Sequence, residues 1–416
     1  MSLTFHWFLP TSGDGRAIKG RGDSIAPVHP DAVPSSRLLG AAAASRPPSL
    51  DYLSQVARAA EQLGFTGVLT PTGTWCEDAW LSTAALISRT ERLKFLVAFR
   101  PGLITPTLAA QMAATYQRLS RGRLLLNVVT GGDAVEQRRF GDHLPHDERY
   151  ARTAEFLSIV RGAWSGQPYD FTGTHYRVEG ASVLEPPEPP PVIYFGGSSP
   201  AAGQVAARHA DVYLTWGEPP ADVAAKIAGI REQAAAAGRA VRFGIRLHVI
   251  TRDSAAEAWA EAARLLDHIE PEDIRAAQQK LGRSESTGQA RMVALHAGYR
   301  GSGDPQQLEI YPNLWAGVGL LRGGAGTALV GSHEQVADRI EEYAALGISE
   351  FILSGYPHLE EAYWFGEGVL PELAWRGQLH AEPAGTVAGG PAAVVSGPAA
   401  AVGGPAAVPG RAAATA

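Results

Sequence analysis

A (β/α)8 barrel, an α/β TIM-barrel fold, is the architecture this sequence predicts, and three observations predict it. Eight short apolar segments with strand character recur along the chain, and amphipathic helical stretches separate most of them. Eight is the number of parallel strands that closes such a barrel. No Gly-x-Gly-x-x-Gly follows the first strand, which weakens a doubly wound open sheet, the alternative architecture.

The elements follow in order. Thr4–Leu9 is the first strand, and Gly67–Thr70, Leu93–Phe99 and Arg123–Val129 are the next three. Helical periodicity fills the gaps over Leu50–Leu63, Trp80–Ser88 and Thr107–Leu119, and continues over Arg149–Trp164. Val192–Phe195, Val212–Thr215, Arg242–Ile250 and Glu350–Ser354 complete the strands, with helices over Ala201–His209, Pro220–Ala237 and Ser332–Leu346. Three stretches interrupt this rhythm. Arg16–Ser49, rich in Arg, Ala and Pro, reads as a mobile insertion (16–49). Thr251–Gly331 is several times the usual loop length and reads as a lid insertion (251–331), with helical pieces over Ala255–Ile269 and Pro271–Leu281. From 381 to 416 the chain is Ala, Gly, Pro and Val with almost no charge, so a disordered tail follows a barrel domain spanning 1–380.

The seventh strand is the most informative. Side chains alternate faces along a strand, so Arg246 and His248 share one face while Ile245, Leu247 and Val249 take the other. A cation and an imidazole enclosed by the fold are costly unless an anionic or strongly polar group meets them. An anionic substrate would meet that need.

Composition narrows the function. A net charge of −6 argues against a nucleic-acid partner, which favours a basic face. A single cysteine excludes an internal disulfide framework and fits a reducing cytoplasm. The N-terminus lacks the basic and apolar regions of a signal peptide, and no apolar run of about 18 residues could form a membrane span. No CxxC, HxH or HExxH spacing supports a metal site, and no Gly-x-Ser-x-Gly elbow supports an α/β hydrolase.

Active sites of such barrels are built from strand C-terminal ends and the loops after them. Thr72 and Cys76 follow the second strand, Thr130-Gly-Gly-Asp133 the fourth, Gly196-Gly-Ser198-Ser199 the fifth, Trp216-Gly-Glu218 the sixth and Tyr356-Pro-His358 the eighth. The glycines and hydroxyls of 196–199 before a helix suit an anion cradle, and suit equally well a serine N-cap with proline opening the helix. His146 and Tyr150, four apart on a helix, could face one ligand, or belong to a capped surface helix. Cys76 is either a small buried thiol or, with a basic neighbour, a nucleophile; a hydrogen-bonding role is the preferred reading. Arg322 stands in Arg-Gly-Gly-Ala-Gly, where it is either an anion receptor or a solvated side chain in a flexible turn. His248 and His358 are titratable near neutrality unless held in the core by a carbonyl.

Long segments in one order then resemble the bacterial luciferase-like flavin monooxygenases, most closely the alkanesulfonate monooxygenases. They include Phe8-Leu-Pro-Thr-Ser-Gly-Asp-Gly15, Pro71-Thr-Gly-Thr-Trp-Cys-Glu-Asp-Ala-Trp80, Asn127-Val-Val-Thr-Gly-Gly-Asp133, Tyr194-Phe-Gly-Gly-Ser-Ser199, Tyr213-Leu-Thr-Trp-Gly-Glu-Pro-Pro220, Phe243-Gly-Ile-Arg-Leu-His-Val-Ile250, Asn313-Leu-Trp-Ala-Gly-Val-Gly-Leu320 and Ser354-Gly-Tyr-Pro-His-Leu-Glu-Glu-Ala362. The resemblance implies an oxygenase that takes FMNH2 from a separate NAD(P)H-dependent FMN reductase and uses O2 to convert an alkanesulfonate into an aldehyde and sulfite. It implies an active-site set of Cys76, Arg246, His248, Arg322, Tyr356 and His358, and flavin contacts at Thr72, Thr130, His146, Tyr150, Ser198 and Ser199. Arg246 and Arg322 would hold the sulfonate or the oxygenated flavin, and Cys76 would help seat the flavin. It further implies a homo-oligomer, dimer or tetramer. The pattern departs at Ser12, where relatives carry histidine. A sulfonate is anionic at any cellular pH, so permanent guanidinium charges suit it. A related oxygenase of a sulfone, an aminopolycarboxylate or an alkane is the nearest alternative; an alkane oxidiser has no use for the arginine pair. A barrel that binds without turnover and a metal-dependent hydrolase are the more distant ones.

Overall fold

The computed structural model describes residues 2–18, 46–267, 269–299, 301 and 304–379. The core of the expected 16–49 insertion and the expected 381–416 tail lie outside the described residues.

Local signals punctuate the elements. β1 (Thr4–Phe8) leads to α1 (Leu50–Gln62), whose first turn is capped by Ser49 accepting from the Tyr52 amide. β2 (Gly67–Thr70) is followed by α2 (Ala79–Leu86), capped by Asp78, and then by β3 (Lys94–Phe99). α3 (Pro106–Ser120) opens on proline, ends at Arg121 in the left-handed conformation and returns the chain to β4 (Leu124–Val128). Next come α4 (Ala134–Arg139) and α5 (His146–Ala163). A hairpin of β5 (Tyr169–Thr172) and β6 (Arg177–Ala181) follows, which the sequence reading missed. Its alternation of Tyr169 and Phe171 with polar neighbours was the available signal.

The barrel resumes with β7 (Val192–Gly196), α6 (Pro200–His209), β8 (Val212–Trp216), α7 (Pro220–Ala236) and β9 (Arg242–Arg252). After β9 come α8 (Ala255–Leu266), α9 (Pro271–Leu281) and α10 (Thr287–Ala294). Short strands β10 (Glu309–Tyr311) and β11 (Leu314–Trp315) precede β12 (Ala328–Ser332). The chain closes through α11 (His333–Ala345), β13 (Ile348–Ser354), α12 (His358–Trp364) and α13 (Leu370–Trp375).

Eight of these strands form a closed parallel cylinder in the order β1-β2-β3-β4-β7-β8-β9-β13, with β13 pairing back to β1. They correspond one for one to the eight predicted strands, so the fold is the expected (β/α)8 barrel. Leu69, Leu96, Leu125, Tyr194, Val212 and Ile352 fill its interior. Their strand neighbours, among them Phe5, Trp7, Phe95, Phe195, Ile245 and Leu353, face outward into the main core beneath the helices. No helix among the described residues is long and apolar enough to cross a membrane.

β9 forks. Its first half pairs with β8 and β13, while His248–Arg252 pairs in parallel with β12, a strand the sequence reading left inside the excursion. The excursion thus departs after Arg252 and rejoins at Ala328. Its first helix, α8, ends at Leu266 and packs Ala258, Ala262, Leu265 and Leu266 with Ile250, Ala328 and Val330. The part holding α9 and α10 reaches the opposite side of the barrel. There the Glu285 amide and the Ser284 hydroxyl both donate to the Gly132 carbonyl at 3.1 Å. Arg149 pairs with Glu285 at 2.8 Å, and Arg291 of α10 grips Glu218 with two bonds of 2.8 and 2.6 Å.

Candidate active site at the barrel mouth

The top of β9 and the end of β13 supply the centre of the site. Arg246 lies opposite Ile352 and His248 opposite Ser354, so alternation brings both side chains inward on adjacent strands. The Arg246 guanidinium sits over the Phe8 ring at 5.1 Å, donates to the Leu247 and Ile352 carbonyls, and reaches Ser354 Oγ at 2.8 Å. Burial pulls it down to about 10, partly offset by the Tyr356 phenol, so it stays charged at neutral pH. No carboxylate among the described residues is paired with it.

His248 is buried and bonded at both nitrogens, Nδ1 to Ser354 Oγ at 2.7 Å and Nε2 to the Ala325 carbonyl at 3.0 Å. Burial above all, then the charges of Arg246 and His358, hold its imidazole far below the usual histidine range. It is neutral at working pH. Tyr356 stacks on it at 5.4 Å and 21°. Arg322 lies over the Tyr356 ring at 4.9 Å and donates from Nε to the Ile18 carbonyl at 2.9 Å. His358 meets the edge of Tyr356 at 5.3 Å and faces Phe8 at 5.4 Å. Arg246, His248, Arg322, Tyr356 and His358 therefore form one contiguous cluster.

The partner of His358 was not singled out from sequence. Asp14 accepts from His358 Nδ1 at 2.8 Å and from the His358 amide through both oxygens, at 3.1 and 2.9 Å. Burial raises the Asp14 carboxyl, but His358 and the Tyr52 hydroxyl outweigh it and hold the group at about 2. Tyr52 in turn accepts from Arg46, which pairs with Glu360. With its Nδ1–H directed at Asp14, His358 keeps Nε2 as its other ring nitrogen. Ser354 is the other residue missed; its signal was position, two residues before Tyr356 on the same strand end.

Cys76 stands apart from that cluster. Its thiol lies near the Pro71 and Gly73 carbonyls, at 3.7 and 3.6 Å, in the loop after β2. Burial pushes it up to about 12, with Thr11 pulling weakly the other way, so it is a thiol and not a thiolate nucleophile. Thr72 is half-buried in the same loop. Arg100 and Glu136 form a buried pair beneath it, and Glu136 accepts from the Thr74 amide at 3.0 Å.

A second group lies across the mouth. His146 and Tyr150 share a face of α5, with rings 4.9 Å apart. Burial raises the Tyr150 phenol, with nearby Ser199 pulling it the other way. Ser199 caps α6 by accepting from the Ala202 amide at 3.2 Å, so the plain capping reading of this serine is realised. Gly197 has φ +152°, and a Cβ there would stand 2.6 Å from Ala202 Cβ and 3.3 Å from the Tyr150 hydroxyl. Only glycine fits. Half-buried Ser198 lies beside Gly288 at the start of α10, next to Trp216. Thr130 is buried against the Thr153 hydroxyl at 3.3 Å.

These residues fit a flavin mononucleotide. The glycine cradle, the α6 N-terminus and the Tyr150 and Ser198 hydroxyls suit its phosphate, and Thr70 Oγ1 at the end of β2 is buried with no partner among the described residues. Among the described residues no group of three or more His, Cys, Asp or Glu side chains could hold a metal ion.

Known proteins share this fold. The profile of the family described as luciferase-like monooxygenase matches residues 5–350. Among solved structures, a riboflavin lyase with modified FMN and riboflavin superposes with a TM-score of 0.70 at 23% identity, covering 91% of this chain and 93% of that one. The EDTA monooxygenase of Chelativorans sp. BNC1 gives 0.67 at 19%, over 91% and 95%. DmoA from Hyphomicrobium sulfonivorans gives 0.65 at 20%, over 91% and 89%. At these identities the likeness is one of fold.

Proposed function

The chain belongs to the luciferase-like monooxygenase family, and from that membership we propose that it desulfonates alkanesulfonates, using FMNH2 from a separate NAD(P)H-dependent reductase. The overall change is balanced: sulfonate, O2 and FMNH2 give aldehyde, sulfite, FMN, water and a proton. One oxygen atom enters the aldehyde and the other leaves as water.

The observation that carries this reading is Arg246, a charged guanidinium in the barrel mouth met by carbonyls, a hydroxyl and a ring but, among the described residues, by no carboxylate. An unneutralised enclosed cation calls for an anionic guest. Arg246 binds the sulfonate, with Arg322 approaching across Tyr356. Bound reduced flavin supplies the two electrons that activate dioxygen. His358 holds or moves a proton at Nε2 while Asp14 fixes its other nitrogen. His248, kept neutral, orients rather than titrates. Tyr150, Ser198 and the cradle around Gly197 seat the phosphate, and Cys76 lines the loop against the flavin as a neutral thiol. The excursion between Arg252 and Ala328 acts as a cover that excludes water.

The test is sulfite release from octanesulfonate, with FMN reduced anaerobically and then exposed to air. Arg246→Ala and Arg322→Ala should each lower turnover at least about tenfold, about 1.4 kcal/mol in the barrier, with the circular dichroism unchanged. Near-parental turnover in both variants would remove the anion role. A small organic carboxylate could meet the same guanidinium, and oxygen uptake without sulfite from an aminopolycarboxylate would identify it.

A further inference from the structure

Three hydrogen bonds at the mouth have only one consistent direction. A guanidinium can only donate and a carbonyl can only accept. Arg246 Nη2 therefore donates to Ser354 Oγ at 2.8 Å. His248 Nε2 must carry the hydrogen that reaches the Ala325 carbonyl at 3.0 Å. A neutral imidazole with hydrogen on Nε2 accepts at Nδ1, so the Ser354 hydroxyl donates to it across 2.7 Å. The chain runs from Arg246 through Ser354 and His248 to Ala325.

Its far end is the glycine-rich turn that carries Arg322. That turn has few side chains to anchor it, and Gly324 adopts φ +85°. It is also held by the Gly324 amide donating to Gln289 Oε1 at 2.9 Å, the Gly319 amide donating to the Gly326 carbonyl at 2.8 Å and Arg322 Nε donating to the Ile18 carbonyl at 2.9 Å. Where it rejoins β12, the His248 amide donates to the Thr327 carbonyl at 2.8 Å and Thr327 Oγ1 to the Gly217 carbonyl at 2.7 Å. The stacking of Tyr356 on His248 fixes the imidazole plane, and the same phenol carries Arg322.

We infer that Ser354 is a positioning residue that couples Arg246 on the barrel wall to the turn bearing Arg322, by fixing the His248 tautomer that grips Ala325. An anion docking on Arg246 redistributes the guanidinium's donors, and hydrogen bonds in series polarise one another, so the event is felt at Ala325. The wall arginine thereby helps settle the turn that brings the second arginine to the same guest. This coupling rests on the proposed pairing of Arg246 and Arg322 about one anion.

The test uses the full chain with Ser354→Ala and Ser354→Thr. Amide hydrogen exchange across 319–327 should quicken at least about tenfold in the alanine variant and stay within about threefold of the parent in the threonine variant, which keeps the hydroxyl. Nitrogen-15 shifts of His248 should report hydrogen on Nε2 in the parent and a tautomer mixture in the alanine variant. The KM for octanesulfonate should rise in that variant by more than kcat falls. Parental exchange and an unchanged tautomer in Ser354→Ala overturn the inference. If that variant does not fold, a His248 with hydrogen on Nδ1 in the parent overturns it alone. A parent that releases no sulfite rejects the substrate reading, while quickened exchange in the alanine variant still upholds the coupling.

Discussion

Asp14 turns a short loop into a support for chemistry. Its side chain is fully enclosed, yet it stays ionised because an imidazole, an amide and a phenol all donate to it. The sign of its effect on stability follows. Its carboxyl sits at about 2 in the folded chain against an ordinary value of 3.8, so the unfolded chain takes up the proton first as acid is added. The contribution is fully present above pH 4 and is lost as pH falls toward 2. Urea midpoints between pH 5 and pH 2 should show the parent losing about 2 kcal/mol that Asp14→Asn does not lose. An equal acid dependence in both proteins would mean that Asp14 is not the responsible group. From sequence, Asp14 was one residue of a Gly-Asp-Gly turn. Its partner lies 344 positions away, a separation no local pattern can bridge. Arg246 and His248 were legible because a charge and an imidazole two apart on an apolar strand conflict with local preference, whereas Ser354 at a strand end conflicts with nothing.

At the scale of elements, the eight barrel strands and most of the helices between them were readable because short apolar runs alternate with longer helix-forming stretches, several opened by Ser, Asp or Pro; the short α4 after β4 was not. β12 was not. Ala328–Ser332 looks like any apolar run, and its pairing with the distal half of β9 is a tertiary choice. The grip on α10 escaped for the same reason. Glu218 is almost fully buried and holds both Lys226 at 2.9 Å and Arg291 at 2.6 Å. Burial raises the Glu218 carboxyl, but the two cations outweigh it and keep it below the usual range. Removing that anion leaves a buried ammonium unmatched, at a cost of about 3 kcal/mol. Glu218→Gln should therefore lower the melting temperature and speed proteolysis between α9 and α10, at Gly282–Ser286. Parental cleavage there would show that the clamp does not hold the helix.

For the whole molecule, one cylinder carries two stations, an arginine-histidine-tyrosine cluster on β9 and β13 and a glycine-serine cradle on β7 and α6. Occupation of the cradle should stabilise the entire fold by mass action. Under anaerobic conditions, reduced FMN at 100 times its Kd should add about 2.7 kcal/mol and raise the melting temperature. Gly197→Ala places a methyl 2.6 Å from Ala202 Cβ and should erase most of that gain while the ligand-free protein still melts cooperatively. An undiminished gain would move the phosphate elsewhere.

The fork in β9 has a practical consequence. Both roots of the excursion are woven into the sheet, through Arg252 and Ala328, and α8 is glued to them by its apolar face. What lies outside the paired roots and their packed core is the short run from 282 to 294, tied on through Gly132, Arg149 and Glu218. That stretch can be treated as an exchangeable cassette: libraries confined to it would retune which guests are admitted, while the machinery that transforms them keeps its foundations.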